Sequence, residues 1–161
     1  MKPAQKPKAQ IIAPDAYPQM LSKPNGARAI STLRSHQVAA SAQAAMEAQV
    51  PVLRAAILQY VEELESARGD MAKVFARAHE IRGFAETAGL VTTGRIAEIL
   101  CRYMDDMERI AKPLDITLVA LNVSAIGRAA RTEDGDAAMG DVVAAELAAL
   151  VARRLADAGG A

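Results

Sequence analysis

Hydrophobic residues recur three and four positions apart from about residue 29 to residue 157, which is the spacing of one face of an α-helix. The clearest stripe consists of Ile96, Leu100, Tyr103, Met107 and Ile110. No stretch of the sequence alternates apolar and polar residues in the manner of a half-buried β-strand. Successive helices with short connections favour an antiparallel up-and-down bundle. The pattern therefore predicts an all-α fold.

A glycine and an aspartate mark the start of a helix in the middle of the chain. Gly69 is expected to end one helix, and Asp70 is expected to cap the next. This next helix is predicted over about 71–88, ending at Gly89. Its core stripe consists of Met71, Val74, Ala78, Ile81 and Ala85.

Other residues indicate further helix ends. Ser31, and Thr92 or Thr93, are the expected N-caps of their helices. Pro51 is expected to break or kink the chain, because proline has no backbone N–H and its ring clashes with the preceding turn. Asp115, which follows a proline and a leucine, is expected to open another helix.

The last two predicted helices are rich in alanine, valine and leucine. The first, at about 115–130, carries two apolar faces, so we expect it to be buried on two sides. One face consists of Ile116, Val119, Val123, Ile126 and Ala130, and the other of Leu118, Leu121 and Ala125. The letters "TEDGD" predict a turn. The helix after it, at about 136–157, is expected to face inward through Val143, Leu147, Leu150 and Leu155.

Residues 1–27 differ in composition from the rest of the chain. They contain five of the seven prolines, four lysines and Asn25-Gly26. This composition is typical of a flexible arm. Residues 28–158 are predicted to form one helical domain, because a chain of 161 residues has room for one domain and little more.

Charge and aromatic content argue against nucleic-acid binding. The chain has 19 Lys+Arg and 19 Asp+Glu, so its formal net charge is zero. A protein that binds duplex nucleic acid through its phosphates is usually distinctly basic. Aromatic residues make up only 3% of the chain and include no tryptophan, which leaves little for a base-stacking surface.

The expected location is the cytoplasm. Cys101 is the single cysteine, which excludes an intramolecular disulfide and suits a reducing compartment. No segment approaches the roughly 20 apolar residues of a membrane span. The first residues lack the apolar core of a signal peptide.

His79 is the side chain with the strongest indication of chemistry. It lies next to the core stripe of its predicted helix, so we expect it at the edge of that stripe and exposed. Phe75, Gly83 and Glu86 form a row with it, because residues three and four positions apart are neighbours on a helix. Arg82 is one turn away and can reach an anion attached to the imidazole. The pattern is that of an exposed nucleophilic imidazole with a cation beside it.

Gly83 is the unusual member of this group. A glycine inside a helix costs roughly 1 kcal/mol relative to alanine. Here it leaves open backbone through which another protein can approach His79. A half-buried histidine with an incidental glycine, or a glycine needed for close packing between helices, explains the same residues without any function. The spacing alone leaves these explanations open.

The segment "AHEIRGFAETAGL" resembles the motif of histidine-containing phosphotransfer (HPt) domains, which reads roughly A-H-x-L-K-G-x-A-x-x-x-G. The matching positions are Ala78, His79, Gly83, Ala85 and Gly89. Ile81 stands for the leucine and Arg82 for the lysine. Arginine offers a planar fork where lysine offers a point charge, so contact with phosphate is retained while its geometry changes. The stretch "GRIAEILCRYMDDME" loosely resembles the next helix of that family.

This resemblance implies a four-helix core with an additional N-terminal helix and a role in a phosphorelay. His79 would accept a phosphoryl group from the aspartyl phosphate of one response-regulator receiver domain or hybrid histidine kinase and pass it to another receiver. Arg82 would stabilise the phosphoryl charge. Phe75, Gly83 and Glu86 would contact the partner. Mg²⁺ is expected on the receiver, so the chain would need no cofactor or metal of its own and would have no autonomous kinase activity.

Two alternatives follow from the same residues. The letters His79-Glu80-Ile81-Arg82 also resemble the H-box of sensor-kinase dimerisation domains, H-E-[LI]-[RK]-[TN]-P. There a proline follows, whereas here Gly83-Phe84 follows, and nothing resembles the glycine boxes of an ATP-binding domain. A dimeric phosphotransferase without kinase activity and a non-catalytic helical adaptor are therefore the alternatives. The expected oligomeric state is accordingly a monomer or a homodimer.

Overall fold

The computed structural model of the chain describes residues 23–67, 69–132 and 137–160. Within these ranges it contains six α-helices and no β-strand, so the predicted all-α helical bundle is confirmed. The helices are α1 Lys23–Leu33, α2 His36–Ser66, α3 Met71–Phe84, α4 Val91–Arg109, α5 Ile116–Arg131 and α6 Ala137–Gly159.

The chain divides into two compact units, residues 1–45 and 46–161. In the first unit α1 begins at Lys23, so residues 23–27 of the predicted arm are helical, and the rest of that arm lies outside the described residues. Ser31 lies inside α1, so its assignment as an N-cap was wrong. The serine that acts at a helix start is Ser35, whose hydroxyl accepts a hydrogen bond from the backbone N–H of Val38 at 3.4 Å.

Helix α2 continues through Pro51 without a break. All three of its buried residues follow the proline, namely Ile57, Val61 and Leu64. The unit that contains the bundle core begins at Met46 and not at residue 28.

The second half of α2 packs against α3 and α5. Arg54 Nε donates to the carbonyl of Ala88 at 2.9 Å, and Arg77 Nε lies 2.7 Å from Glu63 Oε2. A higher residue number in α2 is thus paired with a lower one on the α3 side, so these two helices run antiparallel. Arg131 of α5 donates to Glu65 near the end of α2.

Helix α4 lies at the centre of this unit, in contact with α3, α5 and α6. Four residues of its predicted stripe are fully buried and Ile110 is half-buried, which confirms that stripe. The N-cap of α4 is Leu90, so the assignment of Thr92 or Thr93 as its cap was wrong. Thr93 is instead a buried residue of the first turn, 1% exposed.

Helix α5 begins as predicted at Asp115, whose carboxylate accepts hydrogen bonds from the backbone N–H groups of Thr117 and Leu118. The expectation that α5 is buried on two sides was wrong, because Ile116 is 59% and Leu121 is 46% exposed. The buried residues of α5 are Leu118, Val119, Asn122, Ile126, Gly127 and Ala130. Val123, Ala125 and Ala129 are partly buried against the same core. Neighbouring helices cover one side of α5 and leave the other open.

Helix α6 is present as predicted, but the residues that face the core differ from those expected. Val143 was expected to face inward but is 38% exposed, while Leu147 is buried and Leu150 and Leu155 are half-buried. The other buried positions are Ala144, Val151 and Ala158. Residues 133–136 of the predicted turn lie outside the described part of the chain. None of the described helices is both long and apolar enough to cross a membrane.

Candidate functional site

The orientation of α3 is set at its first turn and by its core stripe. Gly69 has a positive φ of 87°, and Asp70 Oδ1 accepts a hydrogen bond from the backbone N–H of Lys73 at 3.0 Å, as expected for a helix stop followed by an N-cap. Val74, Ala78 and Ile81 are buried as predicted. This burial turns His79 outward, and His79 is exposed.

Two side chains of α3 flank the imidazole of His79. Arg82 Nη2 lies 3.2 Å from His79 Nδ1, and the ring centroids of Phe75 and His79 are 6.0 Å apart. A guanidinium has only N–H donors, so Nδ1 is the acceptor in this contact. The proton of the neutral ring then resides on Nε2.

Gly83 lies on open helix surface. It is exposed, and a Cβ added to it would meet no atom within 4 Å outside its own helix backbone. Close packing between helices therefore does not require a glycine at this position. The space beside His79 is clear, as the approach of another protein would need.

Helix α3 is shorter than predicted, because it ends at Phe84 and a turn occupies 85–89. The backbone N–H of Gly89 donates to the carbonyl of Glu86 at 3.0 Å, and that of Leu90 donates to Ala85 at 2.7 Å. With the positive φ of 74° at Gly89, this is the Schellman pattern that ends helices at a glycine. The predicted stop at Gly89 is thus the end of this turn.

Glu86 is exposed within the turn. Among the described residues no ion pair or hydrogen bond joins it to His79 or Arg82. The structure therefore places Glu86 at the border of the site, whereas Phe75 and Arg82 contact the histidine directly.

Arg54 holds the end of this turn from a different helix. Its Nε donates to the carbonyl of Ala88, and its Nη2 would lie 3.3 Å from a Cβ at Gly89. A cation near a helix C-terminus stabilises the partial negative charge of the last carbonyls. Sequence reasoning missed this residue, because Arg54 and Ala88 are 34 positions apart.

Arg82 also affects the pKa of Cys101, a buried residue of α4. Burial raises the pKa of the Cys101 thiol to about 11, while the positive charge of Arg82 acts in the opposite direction and Asp105 and Glu98 raise the pKa further. Cys101 therefore stays a protonated thiol at neutral pH, and a thiol is a much weaker nucleophile than a thiolate. The exposed imidazole is the stronger candidate nucleophile of the two.

The described residues include no group of three or more His, Cys, Asp or Glu side chains that could hold a metal ion. Comparison of the chain with family models, with curated proteins and with solved structures yields no match. A function for this chain must therefore be argued from the geometry around His79.

Proposed function

We propose that this protein is a histidine phosphotransfer protein that accepts a phosphoryl group on His79 from the aspartyl phosphate of a receiver domain and passes it to another receiver. The observation that carries the proposal is the exposed imidazole of His79, with the Arg82 guanidinium 3.2 Å from its Nδ1 and open helix surface at Gly83. The proposal includes a cytoplasmic location.

The chemical step needs little from the chain besides the imidazole. The lone pair of Nε2 attacks the phosphorus atom, an N–P bond forms, and the P–O bond to the aspartyl carboxylate breaks. The carboxylate leaves with the electron pair, and the ring keeps its remaining proton on Nδ1. The attack requires the neutral form of the imidazole, in which one ring nitrogen carries a lone pair. The reverse step returns the group to a second receiver.

Arg82 has two roles in this proposal. While it donates to Nδ1, the ring proton occupies Nε2 and blocks that atom. Attack therefore requires the proton to move to Nδ1 and Arg82 to release this atom. The guanidinium is then free to bind the phosphoryl oxygens, where a charge-assisted hydrogen bond stabilises the negative charge of the transition state.

The surface around His79 suits a partner that brings its own catalytic groups. Phe75 and the open backbone at Gly83 lie on either side of the imidazole along α3. Glu86 borders this surface in the turn after the helix. In-line transfer needs charge stabilisation on three phosphoryl oxygens, and Arg82 is a single cation. Mg²⁺ and the remaining catalytic groups are therefore assigned to the receiver.

Phosphoryl transfer from receivers to the purified chain tests the proposal. A panel of receiver domains is phosphorylated on aspartate with radiolabelled acetyl phosphate, freed of the donor and mixed with the protein. We expect acid-labile, base-stable label on the wild type and on His36→Gln, and none on His79→Gln. His36 is exposed on α2 and is the matched histidine control. Label that persists on His79→Gln, or no transfer from any receiver, would reject the proposal.

Two further measurements separate the alternatives. The chain incubated with ATP and Mg²⁺ alone is expected to remain unlabelled, because no part of the sequence resembles a nucleotide site. Self-labelling would instead favour the kinase-like alternative. Stable binding to a receiver without transfer would favour the adaptor.

A further inference from the structure

A cavity of about 770 Å³ lies between the first turn of α4, the second half of α5 and the first turns of α6. Its volume falls within the range of small-molecule sites in proteins, roughly 300–1,000 Å³. The apolar part of its lining includes Leu90, Ile96, Leu121, Ala125, Met139 and Val143. Leu121 and Val143 are two residues whose predicted burial the structure does not show, and both line this cavity.

The same cavity has one cationic side chain, Arg128. The backbone N–H of Asp115 donates to the hydroxyl of Tyr103, so the start of α5 lies beside the second half of α4. From there α5 runs back along α4 towards its start. Both helices rise by about 1.5 Å per residue, so Arg128 lies near the level of the first turn of α4. Arg128 is exposed, and no acidic side chain in the described ranges forms an ion pair with it.

The first turn of α4 opens into the cavity without a side-chain cap. Leu90 is the N-cap and makes no side-chain hydrogen bond, so the backbone N–H groups of the first turn have no capping acceptor. Val91, Thr92 and Thr93 line the cavity. These amides and Arg128 together make this end of an otherwise apolar cavity positive.

Thr93 supplies an independent polar group at this end. It is 1% exposed and lines the cavity, yet its hydroxyl has no hydrogen-bond partner in the part of the chain that the structure describes. A hydroxyl group can both donate and accept a hydrogen bond. The Thr93 hydroxyl is therefore available to a polar ligand atom beside the first turn of α4.

We infer that the cavity binds a small amphipathic carboxylate. Its carboxylate would accept hydrogen bonds from Arg128, from the Thr93 hydroxyl and from the amides of the first turn of α4. Its aliphatic or aromatic body would cover the apolar lining near Leu121 and Val143. Binding here is independent of phosphotransfer at His79, because none of the side chains that contact the imidazole lines the cavity.

Titration calorimetry of the full chain with decanoate and with decan-1-ol, both below their aggregation limits, tests this inference. The two probes share an apolar chain and differ in charge. We expect decanoate to bind more tightly than decan-1-ol, and Arg128→Gln to weaken decanoate by about tenfold while decan-1-ol is unchanged. Arg153→Gln, an exposed arginine of α6 outside the cavity, is the matched control and should change neither.

Two more measurements locate the probe. Amide NMR shifts on adding decanoate are expected at Val91, Thr92 and Thr93, and Ala125→Phe, which fills the cavity, should abolish binding of both probes while circular dichroism still reports a helical fold. Absence of decanoate binding to the wild type, an unchanged affinity in Arg128→Gln, or shifts confined to other helices would overturn the inference. So would a self-association that Leu121→Glu abolishes and decanoate does not affect, because a second copy would then be the occupant.

Discussion

At Gly83 a substitution can impair the proposed phosphoryl transfer without impairing the fold. A Cβ there meets no neighbour, so Gly83→Ala should stabilise α3 by up to about 1 kcal/mol through helix propensity. Gly83→Leu should also fold, but its side chain would cover the space beside His79. We expect the transfer rate to fall from Gly through Ala to Leu while the melting temperature holds or rises.

Gly140 provides the matched contrast. A Cβ at this position would lie 2.6 Å from Thr92 Oγ1 and 2.9 Å from Thr92 Cγ2, because α6 approaches α4 closely here. Overpacking typically costs 1–3 kcal/mol, so Gly140→Ala should lower the melting temperature and leave the transfer rate of the folded protein unchanged. A melting temperature that drops in Gly83→Ala as well would mean that Gly83 serves packing after all.

Arg82 can be tested by removing its charge while keeping a hydrogen-bonding side chain. In Arg82→Gln the phosphoryl oxygens lose a charge-assisted contact, and hydrogen bonds to charged groups contribute about 1.5–3 kcal/mol. We expect transfer to be slowed roughly ten- to a hundredfold, with an unchanged melting temperature because the side chain is only half-buried. Arg82→Lys should recover part of the rate. Equal rates in the wild type and Arg82→Gln, measured by rapid quenching, would remove Arg82 from the mechanism.

The end of each helix depends mainly on residues close to it in the sequence. Asp70 and Asp115 cap α3 and α5 as predicted, and Gly69 and Gly89 have the positive φ angles expected of helix stops. Cap partners lie within three positions, so local sequence carries this information. Thr92 and Thr93 failed as caps because the Schellman turn at Gly89 places the start of α4 at Leu90 instead.

Helix α3 should respond to the loss of its cap. Asp70→Ala removes the acceptor for the backbone N–H of Lys73, and such losses typically cost about 1 kcal/mol. We expect urea denaturation to show this loss with an unchanged m-value. Asp70→Asn keeps a capping oxygen and should stay close to the wild type. An Asp70→Ala protein as stable as Asp70→Asn would mean that tertiary packing alone determines where α3 begins.

Across the bundle, an ion pair joins the ends of α2 and α5. Arg131 Nη1 and Nη2 donate to the two oxygens of Glu65 at 2.7 and 2.6 Å. The hydrogen bonds from Arg131 lower the pKa of the Glu65 carboxyl from its ordinary value of 4.5, although partial burial acts in the opposite direction. Gly127 makes room for this pair, because a Cβ there would overlap the Glu65 carboxylate.

A pH dependence of stability follows from this shift. A depressed carboxyl pKa contributes stability above the unfolded value of about 4.5, and this contribution disappears as the pH falls through the lower folded value. Glu65→Gln should therefore be less stable than the wild type at pH 7, by about 0.2–1 kcal/mol for a pair this exposed. The difference should vanish in acid.

Urea denaturation at pH 7 and at successively lower pH values measures this difference. Glu146→Gln is the control, since Glu146 is exposed on α6 and has no ion-pair partner among the described residues. A difference between Glu65→Gln and the wild type that is constant with pH would show that the pair does not titrate as argued.

The sequence by itself determined the all-α class, the caps at Asp70 and Asp115, and the exposure of His79 beside the buried stripe of α3. These depend on interactions within a few residues along one helix, where periodicity and side-chain type suffice. The placement of Arg82 near His79 was predictable for the same reason, because the two residues are three positions apart.

Only the tertiary structure decided which apolar face of α5 and α6 is covered. Both helices carry more apolar residues than one neighbour can bury, so the positions of the other helices select Asn122 and Ala144 for the interior and leave Leu121 and Val143 at the cavity. The contact of Arg54 with Ala88 and the pairing of Glu65 with Arg131 join residues 34 and 66 positions apart. Such partners meet only when the helices pack, and no local pattern encodes them.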